Sequence, residues 1–149
     1  MGEKIRVLFI CRHNSARSRM AEAFVENSGR DGFHAESAGF SPRPPLPTAA
    51  AVMAEIGIDI TRHPSQSVFD LHAAGQAYDY VITVCDRDSA ARCPVFPSPC
   101  RRLHWEFPEP SAFTGTEREI LDRTRHVRDL IRARTDEWLS RIGKETAPK

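Results

Sequence analysis

The stretch that decides the fold reads IRVLFICRHNSARS and occupies residues 5–18. Its first six residues form an almost unbroken apolar run, which is typical of a strand buried in a parallel sheet. After Ser15 the apolar residues recur every three to four positions, which predicts a helix. A strand, a short loop and a helix in this order direct successive backbone N–H groups and a helix N-terminus at one point. The sequence therefore predicts a loop that binds a tetrahedral oxyanion.

The residues of this loop are suited to nucleophilic chemistry on such an anion. Cys11 precedes the helix N-terminus, where the helix dipole and free amides stabilise a thiolate. The planar guanidinium of Arg17 can hold two oxygens of a phosphate-like group, and Ser18 can hydrogen-bond to the sulfur. An inert buried cysteine is the alternative, but the flanking strand and helix favour a functional one. We predict Cys11 as the nucleophile and an oxyanion-binding loop composed of Arg12, His13, Asn14, Ser15, Ala16, Arg17 and Ser18.

Length and composition narrow the class of protein. A chain of 149 residues is expected to form one domain, spanning 1–149. A net charge of +1 argues against nucleic acid or a membrane surface as an electrostatic partner. The charged N-terminal strand does not resemble a signal peptide, and no apolar run approaches membrane-spanning length. We expect a cytoplasmic protein, in which four cysteines are catalytic, redox-active or metal-binding rather than joined in structural disulfides.

The rest of the chain alternates between strand and helix patterns. Further strands are predicted at 33–38, 80–84 and 101–107, and a helix from Pro47 to Gly57. A capping box at Thr116 opens the longest helix, which is predicted to end at Gly143 and to leave 144–149 as a frayed tail. This order predicts an α/β fold of three layers, with helices on both faces of a central parallel sheet.

Cys85 and Cys93 provide the second chemical signal. Cys85 follows the strand at 80–84, so two buried strands bring cysteines to the same edge of the sheet. The two thiols could be unreactive core residues, or they could exchange disulfides across the polar segment between them. A zinc site with Cys100 and His104 is a further possibility, although the spacings match no common zinc template. No role is assigned to Cys100.

Residues 11–18, followed by Met20-Ala21-Glu22-Ala23, resemble the phosphate loop of the low-molecular-weight tyrosine phosphatases. They resemble even more closely the loop of the thioredoxin-coupled arsenate reductases built on the same fold, and the resemblance covers nearly the whole chain. It implies a low-molecular-weight-phosphatase-like fold and reduction of arsenate, with phosphate as a competing oxyanion and thioredoxin as the reductant. It also implies that Cys85 and Cys93 are two resolving thiols. We expect a monomer without a cofactor.

The segment 105–110 matches the family's loop that carries a general acid, normally an aspartate before a proline. This chain has Glu109 there, one methylene longer, and we predict it as the acid; a surface glutamate is the alternative. The residues that follow, 111–113, lack the aromatic residues with which tyrosine phosphatases of this fold grip a phenyl ring. That difference favours a small inorganic substrate.

Some arsenate reductases of this kind bind a potassium ion behind the loop. The matching positions here are Asn14, Glu22 and Ser37, but a fourth, acidic position holds Gln66. A neutral amide adds no charge to a hard-cation site, so no metal ion is predicted.

The resemblance implies a relay in which Cys11 attacks arsenate, Cys85 attacks Cys11 and Cys93 then attacks Cys85. One alternative function is a low-molecular-weight phosphatase acting on phosphotyrosine or small phosphoesters, which would use Cys11, Arg17 and Glu109 alone. Another is a redox-sensing or metal-binding module that uses the cysteines without turnover.

Overall fold

The computed structural model describes residues 4–97 and 99–146. Four parallel strands form a central sheet in the order β2-β1-β3-β4: β1 (Ile5–Cys11), β2 (Phe33–Gly39), β3 (Tyr80–Thr83) and β4 (Arg101–His104). Its helices are α1 (Arg17–Glu26), α2 (Pro47–Ala54), α3 (Val68–Ala73), α4 (Arg87–Ala90) and α5 (Glu117–Thr146). The predicted α/β architecture with a central parallel sheet is confirmed.

Burial of β1 explains why its sequence is an unbroken apolar run. The strand pairs with β2 on one side and β3 on the other, and residues 7–11 are at most 2% exposed. On one face, Phe9 packs against Trp105 and Trp105 against Trp138 of α5, each pair with ring centroids 5.9 Å apart. Both faces of β1 are covered, so it cannot show the alternation of a half-exposed strand.

The opposite face is covered by α3 and the loop before β4. Phe96 lies between His72 of α3 and Tyr78, with ring centroids 5.6 Å and 5.5 Å away and nearly perpendicular planes. Arg6 of β1 places its guanidinium over the Tyr78 ring, 4.8 Å from its centroid. Helix α3 and the loop before β4 therefore form the third layer of the fold, on this face of the sheet.

Helix starts follow the predicted signals more closely than helix ends do. The capping box is present, since Glu119 N donates to Thr116 Oγ1 (3.2 Å) and Thr116 N donates to the Glu119 carboxylate (3.4 Å). Gly143, in contrast, does not end α5, which continues to Thr146. A glycine inside a helix costs only about 1 kcal/mol relative to alanine, and a long packed helix tolerates that.

Residues 144–146 of the predicted frayed tail are therefore helical, and 147–149 lie outside the described residues. The predicted last strand is also shorter than expected, because β4 ends at His104 instead of continuing to Phe107. No helix in the described ranges is both long and apolar enough to cross a membrane.

Candidate active site

The loop of residues 11–18 turns its carbonyl groups away from its own centre. Five consecutive carbonyl oxygens, from Cys11 to Ser15, accept hydrogen bonds of 2.6–3.3 Å from outside the loop; the donors are the N–H groups of Phe40, Ser41, Arg43 and Leu46 and the Nε of Arg19. The C=O and N–H of a trans peptide point in opposite directions, so the N–H groups of residues 12–16 face inward. That is the amide arrangement of an anion-binding loop.

The sulfur of Cys11 lies inside this ring of amides and is 2% exposed as a residue. Asn14 N donates to the sulfur (3.2 Å), and Ser18 Oγ lies 2.9 Å from it. Ser18 Oγ already accepts a hydrogen bond from Asn14 Nδ2 (2.8 Å), which leaves its own proton for the sulfur. Asn14 has a φ of 52°, the left-handed conformation that its residue type suggested. These hydrogen bonds stabilise negative charge on the sulfur.

The remaining loop residues divide between surface and interior. Arg12 is exposed, whereas Ser15 and Ala16 are buried. His13 is 6% exposed, and its Nδ1 lies 3.1 Å from the carbonyl oxygen of Ser41. The structure therefore brings the whole predicted loop around Cys11.

Arg17 joins the loop to the predicted general acid. Its side chain is 3% exposed; Nη1 donates to the carbonyl oxygen of Phe107 (3.0 Å) and Nη2 to the carboxylate of Glu109. The backbone N–H of Ser111 donates to the other oxygen of that carboxylate (3.2 Å). Within the described residues, the buried Nε of Arg17 has no hydrogen-bond partner. Glu109 thus lies at the site, bound to the arginine.

Cys85 lies on the same edge of the sheet as Cys11. Val84 N donates to the carbonyl oxygen of Ile10 (2.8 Å), so the chain segments that end in the two cysteines run side by side. Burial raises the pKa of Cys85 to about 12; the charge of Arg17 opposes this increase and that of Cys11 adds to it. Cys85 is therefore a protonated thiol. It interacts electrostatically with both Cys11 and Arg17.

Cys93 lies in the turn that follows α4. Asp86 caps α4 by accepting from Ser89 N (2.8 Å), and the chain then turns so that Cys93 N donates to the carbonyl of Ala90 (3.1 Å). Burial raises the pKa of Cys93, with Arg102 lowering it and Cys100 raising it. All four cysteines are free thiols. The structure thus places Cys85 beside Cys11 at the edge of the sheet, and Cys93 after α4, where it interacts with Arg102 and Cys100.

A zinc site does not form in this arrangement. His104 Nδ1 lies 2.7 Å from Thr83 Oγ1, at the end of β4. Residues 4–97 and 99–146 contain no group of three or more His, Cys, Asp or Glu side chains close enough to hold a metal ion.

Residues 6–148 match the low molecular weight phosphotyrosine protein phosphatase family. The chain belongs to this family. An arsenate reductase of Bacillus subtilis is 37% identical to it over 138 residues, which is 93% of this chain and 96% of the relative. A solved arsenate reductase in the phosphate-binding state superimposes with a TM-score of 0.72 at 29% identity and covers 93% of this chain and 98% of its own. A thioredoxin-dependent arsenate reductase of Corynebacterium glutamicum has the same TM-score at 25% identity, over 97% of this chain and 65% of its own.

The potassium positions of the family do not form a cation site here. Ser37 Oγ donates to Glu22 (2.7 Å) and accepts from Asn14 Nδ2 (2.9 Å), so these groups bond to one another. Gln66 donates through Nε2 to the carbonyl oxygen of Ser37 (2.9 Å) and through its backbone N to Asn14 Oδ1 (3.1 Å). These four residues therefore form one hydrogen-bond network, to which the neutral Gln66 adds no charge.

Two further residues are important for the loop, and one of them, Arg19, was not identified from the sequence. A Cβ on Gly39 would lie 2.6 Å from Asn14 N and 2.8 Å from the His13 carbonyl carbon, so only glycine allows β2 to end this close to the loop. Arg19 is 1% exposed and bonds to the Asn14 carbonyl from behind. The glycine at the strand end was a visible signal; Arg19 had none, because arginine is common in this chain.

Proposed function

We propose that this protein is an arsenate reductase, which converts arsenate to arsenite through Cys11 and an intramolecular disulfide relay. The observation that carries the proposal is an amide-lined cysteine with a second buried cysteine, Cys85, beside it on the same edge of the sheet. The similar proteins of Bacillus subtilis and Shouchella clausii are arsenate reductases, which supports the reductase over the phosphatase.

Arsenate binds in the loop, and phosphate competes because it has the same charge and tetrahedral shape. The inward N–H groups of residues 12–16 and the guanidinium of Arg17 hold its oxygens. The buried Nε–H of Arg17 is a donor available for one of them. Because Glu109 is bound to the same guanidinium, the oxyanion must displace this carboxylate as it enters.

Displacement places Glu109 beside the incoming anion, where it serves as the general acid. The thiolate of Cys11 attacks arsenic and forms a sulfur–arsenic bond. Once released from Arg17, Glu109 takes up a proton from solvent and passes it to a hydroxyl oxygen of arsenate, which leaves as water while the thiolate takes its place on arsenic.

The second step reduces the arsenic. Cys85, once deprotonated, attacks the sulfur of Cys11; the electron pair of the sulfur–arsenic bond stays on arsenic, and arsenite leaves. A disulfide between Cys11 and Cys85 remains. Cys93 then attacks Cys85, which releases Cys11 and moves the disulfide to a pair that thioredoxin can reduce.

We infer that the third step involves a conformational change, since the charges that act on the Cys93 thiol are those of Arg102 and Cys100. A disulfide needs Cα atoms within about 7 Å of each other. We infer that α4, a helix of four residues, unwinds when Cys11 and Cys85 are oxidised and carries Cys93 inward. Thioredoxin is the reductant, and the reaction takes place in the cytoplasm with the chain as a monomer.

A phosphatase is the second candidate function, and the family supports it. Hydrolysis of a phosphoester needs the loop, Arg17 and Glu109, but neither Cys85 nor Cys93. A redox-sensing module would need the cysteines but would not turn over substrate.

Turnover separates the three functions. Arsenate, reduced thioredoxin and the purified protein should yield arsenite over many cycles, whereas a phosphatase or a sensor would yield none. Cys93→Ser should complete one cycle and stop as a Cys11–Cys85 disulfide, which peptide mapping of the oxidised protein identifies. If mapping found Cys11 free, or paired with Cys100, the relay order proposed above would be wrong.

A further inference from the structure

Arg19 is a buried cation behind the oxyanion loop, on the side opposite to Arg17. It is 1% exposed, although it lies only two residues after Arg17 in α1. Buried arginines are rare unless their charge is compensated. Its surroundings therefore need a physical explanation.

The acceptors of its hydrogen bonds are neutral oxygen atoms. Nε donates to the carbonyl of Asn14 (2.6 Å), Nη1 to the carbonyls of Ile60 (2.8 Å) and His63 (2.9 Å), and Nη2 to Ser65 Oγ (2.8 Å). Carbonyl and hydroxyl oxygens that converge on one point are also the ligands of a hard monovalent or divalent cation. Here the guanidinium of Arg19 lies among these oxygens.

The charge of Arg19 is directed at the active site. Burial lowers its pKa, while Glu22 and Cys11 raise it, so the guanidinium interacts electrostatically with the nucleophile itself. A guanidinium stays charged in proteins, so this interaction is always present. It acts on any negative charge that the sulfur of Cys11 carries.

Arg19 also fixes the least favourable backbone conformation of the loop. Asn14 has a left-handed φ of 52°, and its carbonyl is the one of the five outward carbonyls that is held by side chains, Arg19 and Ser65, rather than by the backbone of residues 40–46. The same peptide unit carries the inward N–H of Ser15. Losing the bond to Arg19 would therefore disturb an amide of the oxyanion site.

We propose that Arg19 is a positioning residue that acts as a built-in cation: it holds the Asn14 peptide in place and stabilises the Cys11 thiolate. The proposal rests on Cys11 as the nucleophile of the proposed function. It does not depend on the disulfide relay.

Three variants separate the effect of the Arg19 charge on Cys11 from the effect of Arg19 packing. Arg19→Met removes the charge and the bonds but keeps the length, Arg19→Lys keeps the charge, and Arg118→Met changes an exposed arginine of α5 as a control. The rate of Cys11 alkylation by iodoacetamide at pH 6 should fall about 10- to 100-fold in Arg19→Met, the effect of losing a hydrogen bond to a charged group. Arg19→Lys should recover a substantial part of the rate, and Arg118→Met should match the wild type.

Equal slowing in the methionine and lysine variants would indicate packing alone and overturn the proposal, as would a wild-type rate in Arg19→Met. Phosphate affinity, measured by calorimetry, should weaken more in Arg19→Met than in Arg19→Lys. Neither assay needs arsenate reduction, so a failed reductase assay would leave this test intact.

The wild-type protein provides a test that no folding defect can affect. Replacing tetramethylammonium by potassium at constant ionic strength should leave Cys11 alkylation and phosphate affinity unchanged within about twofold, since the guanidinium already supplies a fixed positive charge behind the loop. An acceleration or tightening of about fivefold or more with potassium would show a separate cation site and overturn the proposal.

Discussion

Cys11 and Cys85 follow neighbouring parallel strands and are both buried, yet their surroundings differ. Cys11 receives a hydrogen bond from Asn14 N, lies 2.9 Å from Ser18 Oγ and interacts electrostatically with Arg19. Cys85 is fully buried, and that burial raises its pKa to about 12. The sheet gives the two thiols similar positions, and the loop surrounds Cys11 with hydrogen-bond partners. Burial alone therefore does not make a cysteine reactive; directed donors do.

The largest losses of activity are expected when either cysteine is replaced. Cys11→Ser should abolish both arsenate reduction and hydrolysis of a phenyl phosphate, because no nucleophile remains. Cys85→Ser should abolish arsenite release but keep the weak hydrolysis, which needs only the loop and the acid. Both activities can be measured on the same preparations. A Cys85→Ser variant that still releases arsenite at the wild-type rate would remove Cys85 from the mechanism.

The second largest effect is expected at Glu109. Glu109→Gln should slow single-turnover formation of the first disulfide by about 10²- to 10⁴-fold, the usual contribution of general acid catalysis. Phosphate should bind the variant more tightly than the wild type, because the carboxylate no longer competes for Arg17. Calorimetry and rapid quench measure the two effects separately. An unchanged single-turnover rate would assign the proton to another group, with Glu106 the next residue to substitute.

Removing the Ser18 hydroxyl, which contacts the sulfur, should lower the reactivity of Cys11 toward that of Cys85. Ser18→Ala should slow alkylation of Cys11 at pH 6 by about 10- to 100-fold, since a hydrogen bond to a charged group is lost. Ser28→Ala, which removes a hydroxyl at the end of α1, should have no effect on that rate and serves as the matched control. If both variants react like the wild type, the contact between Ser18 and the sulfur does not stabilise the thiolate.

The smallest effect is the pH dependence of the step in which Cys85 attacks Cys11. With its pKa raised to about 12, Cys85 is almost wholly protonated near neutrality, and its thiolate fraction grows about tenfold per pH unit. The rate of the first disulfide step should rise with pH between about 7 and 9 with that slope, until another step limits it. Quenched single turnovers at several pH values give the slope directly. A flat profile in this range would mean that Cys85 is deprotonated some other way once arsenate is bound.

The sequence predicted those features of the site that local patterns encode. The apolar run at 5–10 predicted β1, and the residue types after it predicted the loop around Cys11. Thr116 and Glu119 predicted the start of α5. In these cases the signal and the structure lie within a few residues of one another.

Features that depend on distant parts of the chain were not predictable in this way. The bond between Arg17 and Glu109 joins residues 92 positions apart, and only the packing of the acid loop on the sheet brings them together. The burial of Arg19 behind the loop also depends on distant residues, since its guanidinium bonds to the carbonyls of Ile60 and His63. Helix ends were also uncertain, since tertiary packing carries α5 past Gly143.

Gly39 affects how such sites can be found and transplanted. The end of β2 approaches the loop so closely that a methyl group at position 39 would overlap backbone atoms of His13 and Asn14. A genome search for a cysteine followed by arginine and serine at the right spacing will therefore collect many chains that cannot close this loop. Requiring a glycine at the end of the next strand should remove many of them. For the same reason, grafting residues 11–18 onto another parallel sheet should fail unless the neighbouring strand brings its own glycine.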